Sequence, residues 1–271
     1  MSIKHFDLDG NAFIPYVEFG DPNGAPLVIV PGLGDGLEPL EGEGAMKILR
    51  LAYRPLSRFR VIISSRRMLT PVGFTIADMA DDVARLMRGL GAAPAAVMGE
   101  SMGGMIGQEL AARHPEIVER LVLASTVAHV DAPMLVMLDR WEGYVRQGKL
   151  REHARAARAD VLTGRLARLY RVLGGLLMLF PRPRYPERYF IHCAAIRGFD
   201  ARPLLSRITC PTLVTGGTLD VVTRPELVRE LAAGIPNARL VMIDRVGHAP
   251  ALQRPTVFNR ALLGFLAEKQ C

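Results

Sequence analysis

Short apolar runs alternate with amphipathic stretches over the first half of the chain. Pro26-Leu27-Val28-Ile29-Val30 is apolar throughout, which predicts a strand buried on both faces, and Pro31-Gly32-Leu33-Gly34 stops it. Arg60-Val61-Ile62-Ile63-Ser64 is a second such run. From Thr75 to Leu90 the period changes. Ile76, Met79, Val83 and Leu86 recur every three or four residues, Thr75 and Asp78 are spaced as a capping box, and Gly91 closes the helix. Ala95 to Met98 reads as a strand, Met102 to Arg113 as a helix and Leu121 to Ala124 as another strand. His5 falls in an N-terminal strand. This βαβα rhythm predicts a mostly parallel sheet with helices on both faces.

The rhythm breaks after Ser125. Asp131 to Arg207 has helical texture only, in Met134 to Gln147, in an Arg/Ala-rich run from Lys149 to Leu162, and in Arg165 to Phe180. Pro181, Pro183 and Pro186 then interrupt it. Alternation resumes with a strand at Thr212 to Thr215, a helix at Pro225 to Ala233, a strand at Arg239 to Ile243 and a last helix at Pro255 to Glu268. The pattern reads as an α/β core in two parts, residues 1–128 and 208–271. A helical cap, 129–207, is expected over the carboxyl ends of the strands, where such sheets bind ligands.

Composition narrows the class. Hydrophobic residues are 49 % and charged residues 23 % of 271, which excludes a disordered chain. Three irregularly spaced cysteines, Cys193, Cys210 and Cys271, do not make a disulfide framework, so a reducing compartment is expected. The first residues lack the apolar region of a signal peptide. The longest apolar run, Leu173 to Phe180, is far short of the ~20 residues of a membrane span. A soluble, cytoplasmic protein without a stable membrane anchor is the expectation, and a homodimer stays open.

The net charge of +7 is concentrated in the cap. Residues 131–207 hold 15 Lys and Arg against 7 Asp and Glu, while the remainder holds 19 against 20. No nucleic-acid-binding signature accompanies these arginines, so no nucleic-acid partner is expected. Either they form a solvated face, or Arg182, Arg184 and Arg188 border the pocket mouth and attract anionic substrates.

Gly99-Glu100-Ser101-Met102-Gly103 joins a predicted strand to a predicted helix, the context that the G-x-S-x-G turn requires. Such a turn is sharp enough to strain the serine and to demand glycine on either side. A serine hydroxyl needs a base. Of six histidines, His248 lies in a loop after the last strand, where it can reach Ser101. His114 reads as a helix C-cap, His153 as solvated on the Arg-rich helix, and His192 has no placement. An acid must orient the base. Asp220 follows the strand at Thr212 to Thr215 and is preferred over Asp244, four residues before His248. An oxyanion needs two donors. The N–H of Met102 is one, and the N–H of Leu33 in the glycine-rich loop after the first parallel strand is the other. Met68, Met102, Met105, Met134 and Met137 are expected to line the substrate pocket, with His129 at its edge and Trp141 beside them. No metal-ligand spacing and no phosphate-binding glycine loop after a strand is present, so neither a metal nor a cofactor is expected.

With these residues in hand, the chain resembles the α/β-hydrolases of the esterase–lactonase group over nearly its whole length. The triad order Ser101, Asp220, His248 carries the resemblance, with the Gly32-Leu33 loop and the cap. The stretch Gly99 to Thr126 is similar to enol-lactonases of aromatic degradation and to methylesterases of polyketide pathways. Two departures stand out. The oxyanion loop opens Pro31-Gly32 where the family has His-Gly, and Ser64-Ser65-Arg66-Arg67-Met68 stands where it has Asp-x-Arg-Gly-x. The resemblance implies hydrolysis of a small apolar or anionic ester or lactone through an acyl-enzyme. C–C bond hydrolysis, thioester hydrolysis and a slow-turnover ligand receptor are the alternatives.

Overall fold

The computed structural model describes residues 2–8, 10–34, 53–164 and 185–268. Its sheet runs in the order β1-β2-β4-β3-β5-β6-β7-β8. The strands are β1 (Ile3–Asp7), β2 (Phe13–Gly20), β3 (Pro26–Val30), β4 (Arg60–Ser64), β5 (Ala95–Glu100), β6 (Val118–Ala124), β7 (Thr212–Gly217) and β8 (Ala238–Ile243). β1, β2 and β4 pair antiparallel, and every pairing from β4 to β8 is parallel. β2 has no counterpart in the sequence reading. Ile14 to Val17 are all buried, so it shows no polar alternation, and Pro15 interrupts its β signature.

The apolar runs become central strands because both of their faces are covered. Val28, Val30 and Val97 face a core with α1 (Ile76–Gly89) and α2 (Met102–Arg113). Leu27, Ile29, Ala96 and Met98 face the opposite core with Phe258, Leu262 and Phe265 of α8 (Pro255–Leu266). Thr75 caps α1 as expected: its side chain accepts from Asp78 N–H while the Asp78 carboxylate accepts from Thr75 N–H. The chain passes from β3 outward to β4, then returns to place β5 on the other side of β3. Loops leaving β3 and β5 therefore diverge, and the crevice between them is the switch point at which such sheets bind ligands.

Between β6 and β7 lie α3 (Ala132–Arg146), α4 (Leu150–Val161) and α5 (Pro186–Arg197), with α3 packed on both others. The helix expected at Arg165 to Phe180 lies outside the described residues. Gln253 of α7 (Pro250–Gln253), which follows α6 (Pro225–Gly234), donates to the Thr163 carbonyl at 3.0 Å, and His248 N–H donates to the Val161 carbonyl at 2.9 Å. The end of α4 is thereby tied to the loop that carries His248.

Of the three arginines weighed for a cationic pocket mouth, Arg188 is not among the described walls of the cavity above Ser101. It is buried and donates to the Arg67 carbonyl at 3.0 Å, the Ser65 hydroxyl at 3.1 Å and the Arg66 carbonyl at 2.5 Å. It fastens the cap to the segment after β4. A guanidinium reaches three acceptors that diverge from one backbone bend, which explains why arginine serves here. Arg182 and Arg184 lie outside the described residues. Arg140, Arg197 and Arg202 are spent on Asp160, Asp139 and Asp200, and Arg146 on Glu142. Arg188→Met should cost about 3 kcal/mol by stranding buried acceptors, and the midpoint of urea unfolding measures it. A midpoint within error of the parent would refute the brace.

Candidate active site

The turn from β5 into α2 forces the geometry of the site. Ser101 takes φ 54°, ψ −120°, in the left-handed half of the map that side chains avoid. The turn closes only because its neighbours lack side chains. A Cβ at Gly99 would lie 2.3 Å from the Gly103 carbonyl oxygen, and one at Gly103 would lie 1.9 Å from the Val30 carbonyl oxygen. The hydroxyl is thus held at the mouth of the crevice, in front of the first turn of α2. The leading N–H groups of that turn have no intrahelical acceptor and carry the positive end of the dipole.

Ser101, His248 and Asp220 form one hydrogen-bonded chain. Ser101 Oγ is 2.9 Å from His248 Nε2, and His248 Nδ1 is 2.9 Å from Asp220 Oδ2. Asp220 is 2 % exposed. Its carboxylate accepts from Val222 N–H at 2.8 Å, Thr223 N–H at 3.0 Å and the Thr223 hydroxyl at 2.6 Å. Burial pushes the Asp220 carboxyl up, but the His248 charge and these bonds outweigh it and hold the carboxyl below its ordinary range. The Thr223 oxygen also lies 3.2 Å from His248 Nδ1. With its hydrogen on Asp220, it can share the Nδ1 proton, which leaves the Nε2 lone pair facing Ser101. Asp244 is remote from this chain. It is exposed, bonded to the Thr218 hydroxyl and beside Arg245.

The loop after β3 closes the other side. A Cβ at Gly32 would sit 3.2 Å from Ser101 Cβ, so the peptide that brings Leu33 passes directly over the serine. Arg66 sets this loop: its Nη1 donates to the Pro31 carbonyl at 2.7 Å and its Nη2 to the Gly32 carbonyl at 2.6 Å. Sequence reasoning passed over Arg66 in this role. It occupies the arginine place of the family's Asp-x-Arg pattern, and that was the available signal. Asp35 and Gly36 lie outside the described residues.

A cavity of about 750 Å³ opens above Ser101. Gly32, Leu33 and His248 line it near the serine, and Trp141, His153, Ala157, Val161 and Tyr189 line it from the cap. Of the expected pocket residues only Trp141 is among its described walls. Met134 is buried between α3 and the core, and Met102 and Met105 lie in the core beneath α2. Met137 packs against the small cluster that holds Trp141 and is not among the cavity's described walls. Met68 donates its N–H to the Phe13 carbonyl at the start of β2. His129 pairs its backbone with Asp200 and its ring with Glu230.

Two further side chains at the cavity were missed or misplaced. Glu100 lines it, and burial pushes its carboxyl up while His248 pulls the other way. His153, expected in solvent, is 7 % exposed and bonds the Tyr189 hydroxyl at 3.1 Å. His114 does end α2, where its ring also bonds Asp81 at 2.7 Å. Among the described residues no group of three or more His, Cys, Asp or Glu is placed to hold a metal ion. No helix among them is long and apolar enough to cross a membrane.

A family model of the alpha/beta hydrolase fold matches residues 25–255, and the chain belongs to that family. Among solved structures it is similar to the enol-lactonase of Burkholderia xenovorans LB400. The two share 27 % identity and a TM-score of 0.83, over 98 % of this chain and all of the other. Among curated relatives it is 33 % identical to a Serratia proteamaculans protein named as a carbamate hydrolase, RutD, over 74 % of this chain and 76 % of that one. It is 30 % identical to a Mycobacterium tuberculosis protein named as a non-heme bromoperoxidase, BpoC, over 91 % and 96 %. The chain is a hydrolase by family and by these relatives.

Burial holds His153 down at about 4, against an ordinary 6.5. As pH falls through this window the unfolded chain takes up a proton that the folded chain refuses, so stability is lost toward acid and untouched above about 6.5. His153→Gln removes that proton. Its urea midpoint should fall less between pH 7 and pH 5 than the parent's, and parallel pH curves would contradict the neutral buried imidazole.

Proposed function

We propose that the protein hydrolyses a carboxylic ester or lactone through an acyl-enzyme on Ser101. The observation that carries this reading is the unbroken chain from Ser101 Oγ through His248 to Asp220, with 2.9 Å at each link. His248 Nε2 takes the serine proton as Oγ attacks the carbonyl carbon. Asp220 holds the ring in the tautomer that leaves Nε2 free and stabilises the imidazolium that forms. The tetrahedral oxyanion is received by the N–H groups of Leu33 and Met102. Collapse returns the proton from Nε2 to the leaving oxygen. Water, deprotonated by the same nitrogen, then attacks the acyl-enzyme and regenerates Ser101. In a lactone the leaving oxygen stays tethered and departs with the acid as one hydroxy acid. The walls above Ser101 favour a neutral, largely apolar substrate. The relative named as an enol-lactonase supports the lactone reading, and the relatives named as carbamate hydrolases are consistent with attack on a carbonyl that bears a heteroatom. The chain acts without metal, cofactor or nucleic acid in this reading.

Ser101→Ala should lower kcat by about 10⁶ while the fold persists, since alanine keeps the turn's glycine neighbours. Release of p-nitrophenol from the acetate and butyrate esters, with a serine-directed phosphonate as titrant, checks this. Retention of more than about a tenth of the parent rate would remove Ser101 as nucleophile. Stoichiometric labelling of the parent without turnover would favour a ligand receptor.

Asp220→Asn should lower kcat by roughly 10⁴, because the amide favours the wrong imidazole tautomer. Asp244→Asn should leave kcat within about twofold. The reverse ranking in the same assay would transfer the orienting role to Asp244.

A further inference from the structure

The cavity has walls of two origins. Trp141, Ala157 and Val161 of the cap form one apolar cluster and line it above Ser101. Met98, Phe258 and Leu262 belong to the core between the sheet and α8, and they line it as well. β5 delivers a carboxyl to that second wall. Side chains alternate along a strand, and Ala96 and Met98 face the α8 core, so Glu100 continues the same face at the end of β5. It lines the cavity beside the nucleophile's own position in the chain.

No group of the protein answers this carboxyl. Glu100 has no hydrogen-bond or ion-pair partner among the described residues. His248 acts on it only through its charge, and Tyr53, which also lines the cavity, feels the Glu100 charge without bonding to it. The carboxyl is nonetheless not sealed in. Glu100 keeps accessible surface, and the cavity is what it faces. Placing an unpaired carboxyl there is costly, and an apolar side chain would close this wall without that cost. A carboxyl accepts hydrogen bonds in either protonation state, through both oxygens when ionised and through the carbonyl oxygen when protonated. The complement it lacks is therefore a donor. As a carboxylate it also opposes an anionic group at the same place.

We propose that Glu100 determines specificity by accepting a hydrogen bond from a hydroxyl or N–H group that the substrate carries away from its scissile bond. The substrate class is a largely apolar ester or lactone with one such neutral donor. This deepens the esterase or lactonase reading and rests on it. The predicted preference is over an ester of the same length that ends in a methyl group.

Two pairs of esters test both arms of a substrate. Methyl 6-hydroxyhexanoate is compared with methyl heptanoate for the acyl arm, and 4-hydroxybutyl butanoate with pentyl butanoate for the alcohol arm. In one pair the hydroxyl ester should have a kcat/KM about tenfold above its methyl-ended partner, the worth of a hydrogen bond to a charged group. In Glu100→Met that ratio should fall to about one or below. Glu100→Gln, whose carbonyl still accepts, should lower it and retain part. General damage to the site would slow both members of a pair alike and leave their ratio unchanged. Circular dichroism qualifies each variant as folded, and if Glu100→Met does not fold, the fall in Glu100→Gln decides. No preference in either pair, or an undiminished ratio in the folded variant, overturns the assignment. Trp141 is the only tryptophan of the chain and lines the cavity, so its fluorescence reports binding without turnover. If the parent hydrolyses no ester, but Ser101→Ala binds one hydroxyl ester more tightly than its partner and Ser101→Ala/Glu100→Met does not, the hydrolytic reading fails and the role of Glu100 stands. If the parent hydrolyses the esters without preference, the role of Glu100 fails and the hydrolytic reading stands.

Discussion

The structure depends on a backbone contact that only glycine permits. Where α2 starts, Gly103 lies so close to the end of β3 that a methyl group there would overlap the Val30 carbonyl. This approach sets the first turn of α2 against the Pro31-Gly32-Leu33 loop. It also leaves Ser101 no room to relax from its positive φ. The proposed nucleophile and both proposed oxyanion donors are thus fixed by one packing constraint at the switch point of the sheet. Arg66 extends the constraint across the crevice. By holding the Pro31 and Gly32 carbonyls it orients the peptide that carries Leu33 N–H.

The cap obeys a different logic. Apolar packing against the core is joined there by buried polar groups that hold the helices in place. Arg188 joins the cap to the bend after β4, and the Val161 carbonyl joins it to the His248 loop. The cap is thus attached through the backbone of the loop that carries His248. The rings of Trp141, His153 and Tyr189 then form the roof over Ser101.

How much of this was legible follows from the range of each signal. The parallel strands, the capped α1 and the turn at Ser101 are encoded within windows of a few residues, and they emerge where local pattern puts them. The meeting of Asp220 and His248 with Ser101 was readable because a loop after a strand has few places to go in such a sheet. The pocket was not. On α3, Met134, Leu138, Trp141 and Val145 share one buried stripe, yet only Trp141 comes level with the crevice. Nothing local distinguishes it from Met134, two turns away on the same face. On α4 the buried stripe is His153, Ala154, Ala157, Arg158 and Val161. Alanine marks a buried face weakly, and arginine argues against one, so His153 read as solvated. Arg188 failed for the same reason. A buried guanidinium is identified by the acceptors it meets, and those are supplied by residues more than 120 positions away.

Two carboxyl groups interact with the same imidazole, and only one of them is hydrogen-bonded to it. Asp220 is buried and Glu100 partly buried, and burial alone pushes both carboxyls up. At Asp220 the turn through Val222 and Thr223 supplies three donors, and with His248 they more than cancel that cost. At Glu100 the His248 charge is the only opposing influence, and it does not suffice, so that carboxyl remains raised. The difference lies first in the direct bond of Asp220 to His248 Nδ1 at 2.9 Å, and then in the Thr223 hydroxyl and N–H. A charged partner needs N–H groups already in place before the imidazolium forms, because a carboxylate without them would take the proton itself. The tight turn at Asp220 supplies those donors at the end of β7. Glu100, at the end of a strand that must bend at once into α2, has no room for such a turn, and it faces the cavity instead.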